Sequence, residues 1–460
     1  MTFARFYQRD RPAPTDLRLA DLLGMLSRAL DITEGQPEGH CIRCAYIGTR
    51  LGQHIGMTDR ELADLYYTLL LKDLGCSSNA ARICSLYLAD DISFKRDFKT
   101  IDGSLGGALR FVFAKTGLKS GLSERFRALV NVLQNGQKIS RNLIETRCYR
   151  GADIAGQMRF SSAVQDGIRA LDEHWNGGGK PDGLKGSAIP RNANIALLAQ
   201  VVDVFHAQSG ANAALAEIAA RAGKWFAPDL TQAMAELGAD PAFWDGLSRA
   251  DIAGIVFSLP PATQSAPVTE DYLDDIARGF AAVIDAKSPF TADHSSRVTL
   301  YTDIIAEELG LKADHRRWLR RAALLHDLGK LAVSNQILDK PGKLDPDEWD
   351  VVKSHSQHSE RLLAQVTAFA DIAPIAGAHH ERLDGKGYPY GLRGDQICLE
   401  TRILTSADVF DALSAERPYR AAMPLAKAFE IMEGDIGTAF DGACVVALQQ
   451  GLARLNARTA

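Results

Sequence analysis

Leu324-Leu325-His326-Asp327-Leu328-Gly329-Lys330 sets an imidazole, a carboxylate and an ammonium side by side behind an apolar run. Imidazole plus carboxylate is a ligand pair suited to iron, manganese or zinc rather than to a thiol-seeking metal. Gly329 lets the backbone turn where a helix ends, so the polar pair faces a cavity. Alone, such a dipeptide is commonly a helix cap beside a hydrogen-bonded core histidine. Here it has company: His294, His355, His379, His380 and Asp408 follow the same pattern of polar residues in apolar surroundings. Asp408 lies within Ile403-Leu404-Thr405-Ser406-Ala407-Asp408-Val409-Phe410, where an unpaired buried carboxylate would be costly. The whole set is too large for one ion. It suits two, with a carboxylate bridging them.

Helices must carry these ligands, because the apolar spacing is helical almost throughout and alternating β-branched runs are few. Leu19, Leu22, Leu23, Leu26 and Leu30 form one such stripe, with Thr15 and Asp16 as N-cap candidates before it. Thr269 begins another helix, with acidic residues in its first turn. Residues 90–100, rich in Asp, Lys, Arg and Phe, read as an exposed connection. Ser258-Leu259-Pro260-Pro261-Ala262-Thr263-Gln264-Ser265-Ala266-Pro267 has the composition of an interdomain linker. The expected fold is all-α: a tail at 1–14, a helical bundle at 15–258, a linker at 259–268 and a second bundle at 269–460. One or two ligands on each of several helices is how a bundle builds a metal site in its core.

Composition narrows the class. A chain of 460 residues with 46% hydrophobic and 24% charged residues is an ordinary globular protein of two or three domains. Its net charge of -5 gives no electrostatic argument for binding nucleic acid or anionic membranes, and no nucleic-acid partner is expected. No apolar run reaches the ~18 residues of a membrane span, and Met1 to Pro14 lacks the apolar core of a signal peptide. Seven scattered cysteines suggest reduced thiols, so the expected location is the cytoplasm. Cys41 and Cys44 form a C-x-x-C without a second pair at zinc spacing, and read as helix-face thiols.

The two halves repeat each other. At an offset of 254, His40 and Arg43 match His294 and Arg297, and Leu71-Lys72-Asp73-Leu74-Gly75-Cys76 matches Leu325-His326-Asp327-Leu328-Gly329-Lys330. At an offset of 208, Gly177-Gly178-Gly179-Lys180-Pro181-Asp182-Gly183 matches Gly385-Lys386-Gly387-Tyr388-Pro389-Tyr390-Gly391. The shorter offset means that the N-terminal half carries an insertion, at about 77–145 by this alignment.

Residues 270 to about 445 resemble an HD-GYP domain, the cyclic-di-GMP phosphodiesterase branch of the HD superfamily. The resemblance rests on His294-x-x-Arg297, His326-Asp327-x-Gly329-Lys330, Lys340-Pro341-Gly342, His355, His379-His380-Glu381, Asp384-Gly385-x-Gly387-Tyr388-Pro389, Asp408-Val409-Phe410-Asp411 and Arg417-Pro418-Tyr419-Arg420. It implies two divalent metals, iron or manganese. One would be held by His294, His326, Asp327 and Asp408, and the other by His355, His379 and His380 with Asp327 shared. It also implies hydrolysis of cyclic di-GMP to pGpG or GMP, with another cyclic dinucleotide such as cyclic GMP-AMP as the rival substrate. A weakly active nucleotide-responsive scaffold is a reading of a different class. Asp327 and Lys330 are the expected catalytic groups, Lys330 orienting phosphate or hydroxide. Lys330, Tyr388, Asp411, Arg417 and Arg420 are the expected substrate contacts, Asp411 alternatively standing behind a ligand. Phe290 stands where some members carry a carboxylate for a third metal, so two ions are expected. Val333-Ser334 and Ser356-Gln357-His358-Ser359 depart from the usual loops and leave the ligands complete.

The N-terminal copy has lost most of them. Lys72 replaces His326, Cys76 replaces Lys330, Leu171-Asp172 replaces His379-His380, and Lys180 replaces Tyr388. Gln200 replaces Asp408 unless a slip of three residues brings Asp203 there. This half is expected to serve folding, regulation or a homodimer, its insertion being the place for a partner.

Overall fold

The computed structural model describes residues 17–101, 105–118, 120–259, 268–416 and 421–459. The described residues are helical and contain no β-strand, only isolated bridges such as Asp384 with Arg393. They divide into two compact units, Arg18–Val268 and Thr269–Ala460. The fold is all-α, as the apolar spacing requires.

In the second unit, Thr269 caps the Glu270–Asp285 helix by accepting a hydrogen bond from the Tyr272 amide at 3.2 Å. The last residue of that helix starts the next one. Asp285 accepts from the Ser295 amide at 3.2 Å and from its hydroxyl at 2.7 Å, fixing the first turn of the His294–Glu308 helix. The Ala313–Leu325 helix delivers the buried Leu324 and Leu325 and ends where His326 and Asp327 begin. Pro346 at its first position and a capping box between Asp345 and Glu348 start the Pro346–Ala364 helix, which carries His355. The short Ala373–Gly377 helix leads into His379 and His380, and the Leu399–Ser414 helix carries Asp408 and Asp411.

The first unit repeats this plan with the Leu19–Thr33, His40–His54, Asp59–Leu71, Leu122–Gln157 and Arg191–Ser209 helices. Leu19, Leu22, Leu23, Leu26 and Leu30 are all buried, as the stripe predicts. The cap differs: Arg18 holds that position without a side-chain cap, while Thr15 and Asp16 lie outside the described residues. Asp31 takes the part of Asp285, accepting from the Gly39 and Cys41 amides at 2.8 Å each.

Residues 90–100 are not an exposed connection. Asp90 caps an Asp91–Phe98 helix whose Asp91, Phe94 and Lys95 are buried. Charge there misleads because the buried lysine is neutralised locally, Asp91 lying 3.8 Å away, and donates to the Thr33 carbonyl at 2.8 Å.

Candidate metal centre

Five helices or helix ends converge on one buried cluster. His294, His326, Asp327, His355, His379 and Asp408 are buried, and His380 is partly exposed at its edge. The Asp327 carboxylate faces two ways. Its Oδ2 lies 3.3 Å from His294 Nε2 and 3.3 Å from His326 Nε2. Its Oδ1 lies 3.4 Å from His355 Nε2 and 3.8 Å from His379 Nε2. Asp408 Oδ1 closes the first group, 3.4 Å from His294 Nε2. Its Oδ2 reaches His380 Nδ1 at 4.0 Å, on the side of the second. All seven sequence-predicted ligands are therefore brought together, with Asp327 between two donor sets.

The backs of the histidines explain why the fronts point inward. His326, His355 and His379 each donate Nδ1–H to the carbonyl three residues earlier: Ala323 at 2.7 Å, Val352 at 2.6 Å and Ala376 at 2.6 Å. His294 donates Nδ1–H to Asp411 Oδ2 at 2.7 Å. With Nδ1 so engaged, each ring presents the Nε2 lone pair to the centre. His294 Nε2, His326 Nε2 and Asp327 Oδ1 are then buried without a hydrogen-bond partner. Orphaned lone pairs of this kind are costly unless something electropositive satisfies them. The donor set fits divalent metal.

Electrostatics agree with that fit. Burial, together with neighbouring positive charge, holds His355 down to about 4 and His380 to about 3, so both offer free lone pairs at neutral pH. Burial pushes Asp327 upward, but the imidazoles and Lys330 outweigh it and keep the carboxylate ionised. His294 behaves oppositely. Burial disfavours its charge, yet the nearby Asp327 carboxylate and the hydrogen bond to Asp411 raise it to about 9. Without a metal it holds a proton, which a cation would displace.

Lys330 stands where expected, its Nζ 2.5 Å from Asp327 Oδ2. It also lines a cavity of about 180 Å³ with Lys287, Phe290, Lys340 and Trp349. Tyr388 tilts over His380 with ring centroids 4.7 Å apart, and Trp349 meets Tyr388 edge-on at 6.2 Å. Burial pushes the Tyr388 phenol upward, leaving it a neutral donor. Arg417 and Arg420 lie outside the described residues.

Asp411 needs correction as a substrate contact. It is fully buried, with Oδ1 accepting from Arg297 Nε at 2.5 Å and Oδ2 held by His294 and by Arg297 Nη2 at 3.0 Å. It is a positioning residue for His294. Trp349 and Lys287 join the cavity wall beside Lys330, and no spacing rule distinguishes them from ordinary helix and loop residues.

The first unit preserves this frame and changes its contents. His40 Nδ1 meets Asp203 Oδ2 at 2.6 Å, and Arg43 Nε meets Asp203 Oδ1 at 2.6 Å, as His294 and Arg297 meet Asp411. Asp203 therefore corresponds to Asp411, and Gln200 to Asp408. Lys72 is buried with its ammonium 3.1 Å from His40 Nε2 and in contact with Asp73 Oδ2. A second equivalence comes from packing. A Cβ on Gly329 would lie 1.9 Å from the His355 carbonyl oxygen, and one on Gly75 would lie 1.9 Å from that of Arg147. Arg147 thus takes the place of His355, with its guanidinium on Asp172, the counterpart of His380. Two side-chain cations stand where the other unit gathers metal ligands. The loops agree as well: Glu381 accepts from the Tyr390 and Gly391 amides at 2.6 and 3.1 Å, and Glu173 from those of Asp182 and Gly183 at 2.6 and 3.0 Å.

A family model described as HD domain matches residues 127–230 and 279–444. The chain belongs to the HD domain family. Its HD-GYP character shows in its relatives. The 3′3′-cGAMP-specific phosphodiesterase 3 of Vibrio cholerae is 52% identical over 94% of this chain and 94% of its own length. The 3′3′-cGAMP-specific phosphodiesterase 1 of the same organism is 34% identical, covering 64% of this chain and 70% of that one. A cyclic di-GMP phosphodiesterase response regulator of Xanthomonas campestris is 42% identical over 38% of this chain and 47% of its own. The crystal structure of a cyclic GMP-AMP-specific phosphodiesterase of V. cholerae matches with a TM-score of 0.64 and 47% identity, over 95% of this chain and 98% of that one. The second HD domain match contains all seven candidate ligands. The first contains Arg147, Asp172 and Asp203 but stops short of His40, Lys72 and Asp73.

Proposed function

We propose that this chain is a metal-dependent cyclic dinucleotide phosphodiesterase whose Thr269–Ala460 unit hydrolyses 3′3′-cyclic GMP-AMP. The observation carrying this reading is the divided Asp327 carboxylate between two inward-facing donor sets. The extent of likeness to the V. cholerae enzyme supports cyclic GMP-AMP over cyclic di-GMP as substrate, since it runs through both units.

Two divalent cations, iron or manganese, would be held by His294, His326, Asp327 and Asp408 on one side and by Asp327, His355, His379 and His380 on the other. Such a pair supplies a water nucleophile at neutral pH and charge neutralisation for in-line attack on phosphorus. The chain's own groups do the rest. Lys330 Nζ, 2.5 Å from Asp327, donates toward the incoming phosphodiester and fixes the Asp327 carboxylate. Tyr388 closes the site over His380 with a neutral hydroxyl. Asp411 keeps His294 in the tautomer that faces inward. Arg417 and Arg420 remain proposed phosphate contacts. The Arg18–Val268 unit is a non-catalytic copy that regulates or mediates self-association.

The test is a comparison of kcat/KM for 3′3′-cyclic GMP-AMP and cyclic di-GMP on one iron- or manganese-loaded preparation. Preference for cyclic GMP-AMP is expected. Preference for cyclic di-GMP would reverse the substrate assignment, and turnover of neither would remove it. The other reading, cyclic di-GMP hydrolysis, is favoured by the match to the Xanthomonas relative, 42% identical over 38% of this chain.

A further inference from the structure

The Arg18–Val268 unit holds a cavity of about 170 Å³, close in size to the one beside Lys330. The two lie at corresponding places in the repeat. Glu34 and Cys76 line the first, and their partners at the offset of 254, Ser288 and Lys330, line the second. Much of the remaining wall differs, because the segment between Asn79 and Arg147 is longer than its counterpart in the other unit. That segment contributes Lys95 and Lys99 together with Tyr87, Phe94 and Phe98, and Arg147 adds a third cation from the position of His355.

Three cations and the single carboxylate of Glu34 thus face the space. Glu34 reaches Lys99 at 2.7 Å and Lys95 at 4.0 Å. Asp91 and Asp172 hold Lys95 and Arg147 from behind and are not part of the wall. Two hydrogen-bonding atoms of the wall, Arg147 Nε and Asn79 Oδ1, are buried without a partner. One is a charged donor and the other a neutral acceptor. The aromatic side is ready for a planar ring: Tyr87 stacks on Phe94 at 4.3 Å, and Phe98 is 44% exposed at the rim.

We propose that this cavity binds a nucleoside phosphate and leaves it intact. Phosphate oxygens would accept from Lys99 and Arg147, charge-assisted bonds being the strongest available there. The base would stack on Phe98 and donate an N–H to Asn79 Oδ1. Hydrolysis is excluded at this place because Lys72 and Arg147 occupy the positions of His326 and His355. The site does not depend on the substrate assigned to the other unit.

The experiment is calorimetric titration of the full-length Asp327→Ala chain, which cannot consume substrate, with 5′-GMP, 3′3′-cyclic GMP-AMP and inorganic phosphate. Saturable binding of at least one nucleotide is expected. Lys99→Met should weaken it by about tenfold or more, the scale of one hydrogen bond to a charged group. Phe98→Ala, at a half-exposed position, should weaken it by about fivefold or more through lost stacking, with unchanged circular dichroism as the check on folding. Lys340→Ala, in the other unit's cavity, should leave this binding unchanged. The proposal is overturned if neither nucleotide binds, if binding survives both N-terminal variants, or if Lys340→Ala abolishes it. Inorganic phosphate binding as tightly as nucleotide would overturn the nucleoside part. Turnover by the unsubstituted chain is measured separately, so loss of one reading leaves the other standing.

Discussion

Where His326 sends a lone pair toward Asp327, Lys72 sends an ammonium to Asp73. Where His355 faces Asp327 Oδ1, Arg147 reaches Asp172. The frames around these residues are the same, down to the His40–Asp203–Arg43 and His294–Asp411–Arg297 triads. What differs is the origin of the positive charge. One unit offers orphaned lone pairs that need cations from solution, and the other carries its cations covalently. A buried carboxylate without a counter-ion is an expensive charge, and in this unit Lys72 and Arg147 supply that counter-charge. The pairing also explains His40. Burial and the neighbouring Lys72 hold it down to about 4, neutral and accepting, whereas His294 is raised to about 9.

Exchanging residues between the units should break this contrast most severely. His326→Lys, which writes the N-terminal residue into the catalytic unit, should abolish bound metal and lower turnover on the order of 10⁴-fold, since the metal-activated nucleophile is lost. Elemental analysis and hydrolysis on the same sample check it. Asp411→Asn should cost about 10–100-fold in activity or metal affinity, the usual toll of losing a carboxylate behind a ligating histidine. Metal titration against unchanged circular dichroism separates that from misfolding.

Stability should divide in the same way. Lys72→Met leaves Asp73 buried without its counter-ion and should destabilise the Arg18–Val268 unit by about 3–5 kcal/mol, measured by denaturant unfolding. Chelation should lower the melting transition of the Thr269–Ala460 unit by the metal's linkage free energy, about 3–4 kcal/mol when free metal had stood at 100 to 1,000 times its dissociation constant. The other unit's transition should not move.

The smallest effect is that of pH on the first unit. His40 and His174 both lie at about 4 in the fold, below the ordinary 6.5, chiefly through burial. The unfolded chain therefore takes up protons first as pH falls. Stability should decline from about pH 6.5 toward 4 and gain no further penalty from these two below that. Denaturant midpoints across that range test the sign.

The cluster of seven candidate ligands was legible because histidine and aspartate in apolar helical surroundings are conspicuous. The fold class was legible from spacing, and the duplication from the two offsets. Asp408 and Asp411 were harder. They sit three residues apart on one helix, hence on one face, and sequence does not say which faces the centre. The same ambiguity produced the uncertain register of Gln200 and Asp203, which only the contact with His40 resolves. Arg147 was easy to overlook because it stands just past the insertion, where an arginine opposite His355 has no likeness of residue type to mark the pairing. The 90–100 segment failed for another reason: its charges are buried in pairs, and composition alone reads charge as exposure.

Elemental analysis of the full-length chain, loaded anaerobically with iron or manganese and assayed for cyclic dinucleotide hydrolysis on the same sample, tests the central contrast most directly. About two ions per chain, lost together with turnover in His326→Lys and retained in Lys72→Met, is the predicted result for a two-metal site in one unit only. Ions bound in equal number by both units, or full turnover in a chain stripped of metal, would contradict it.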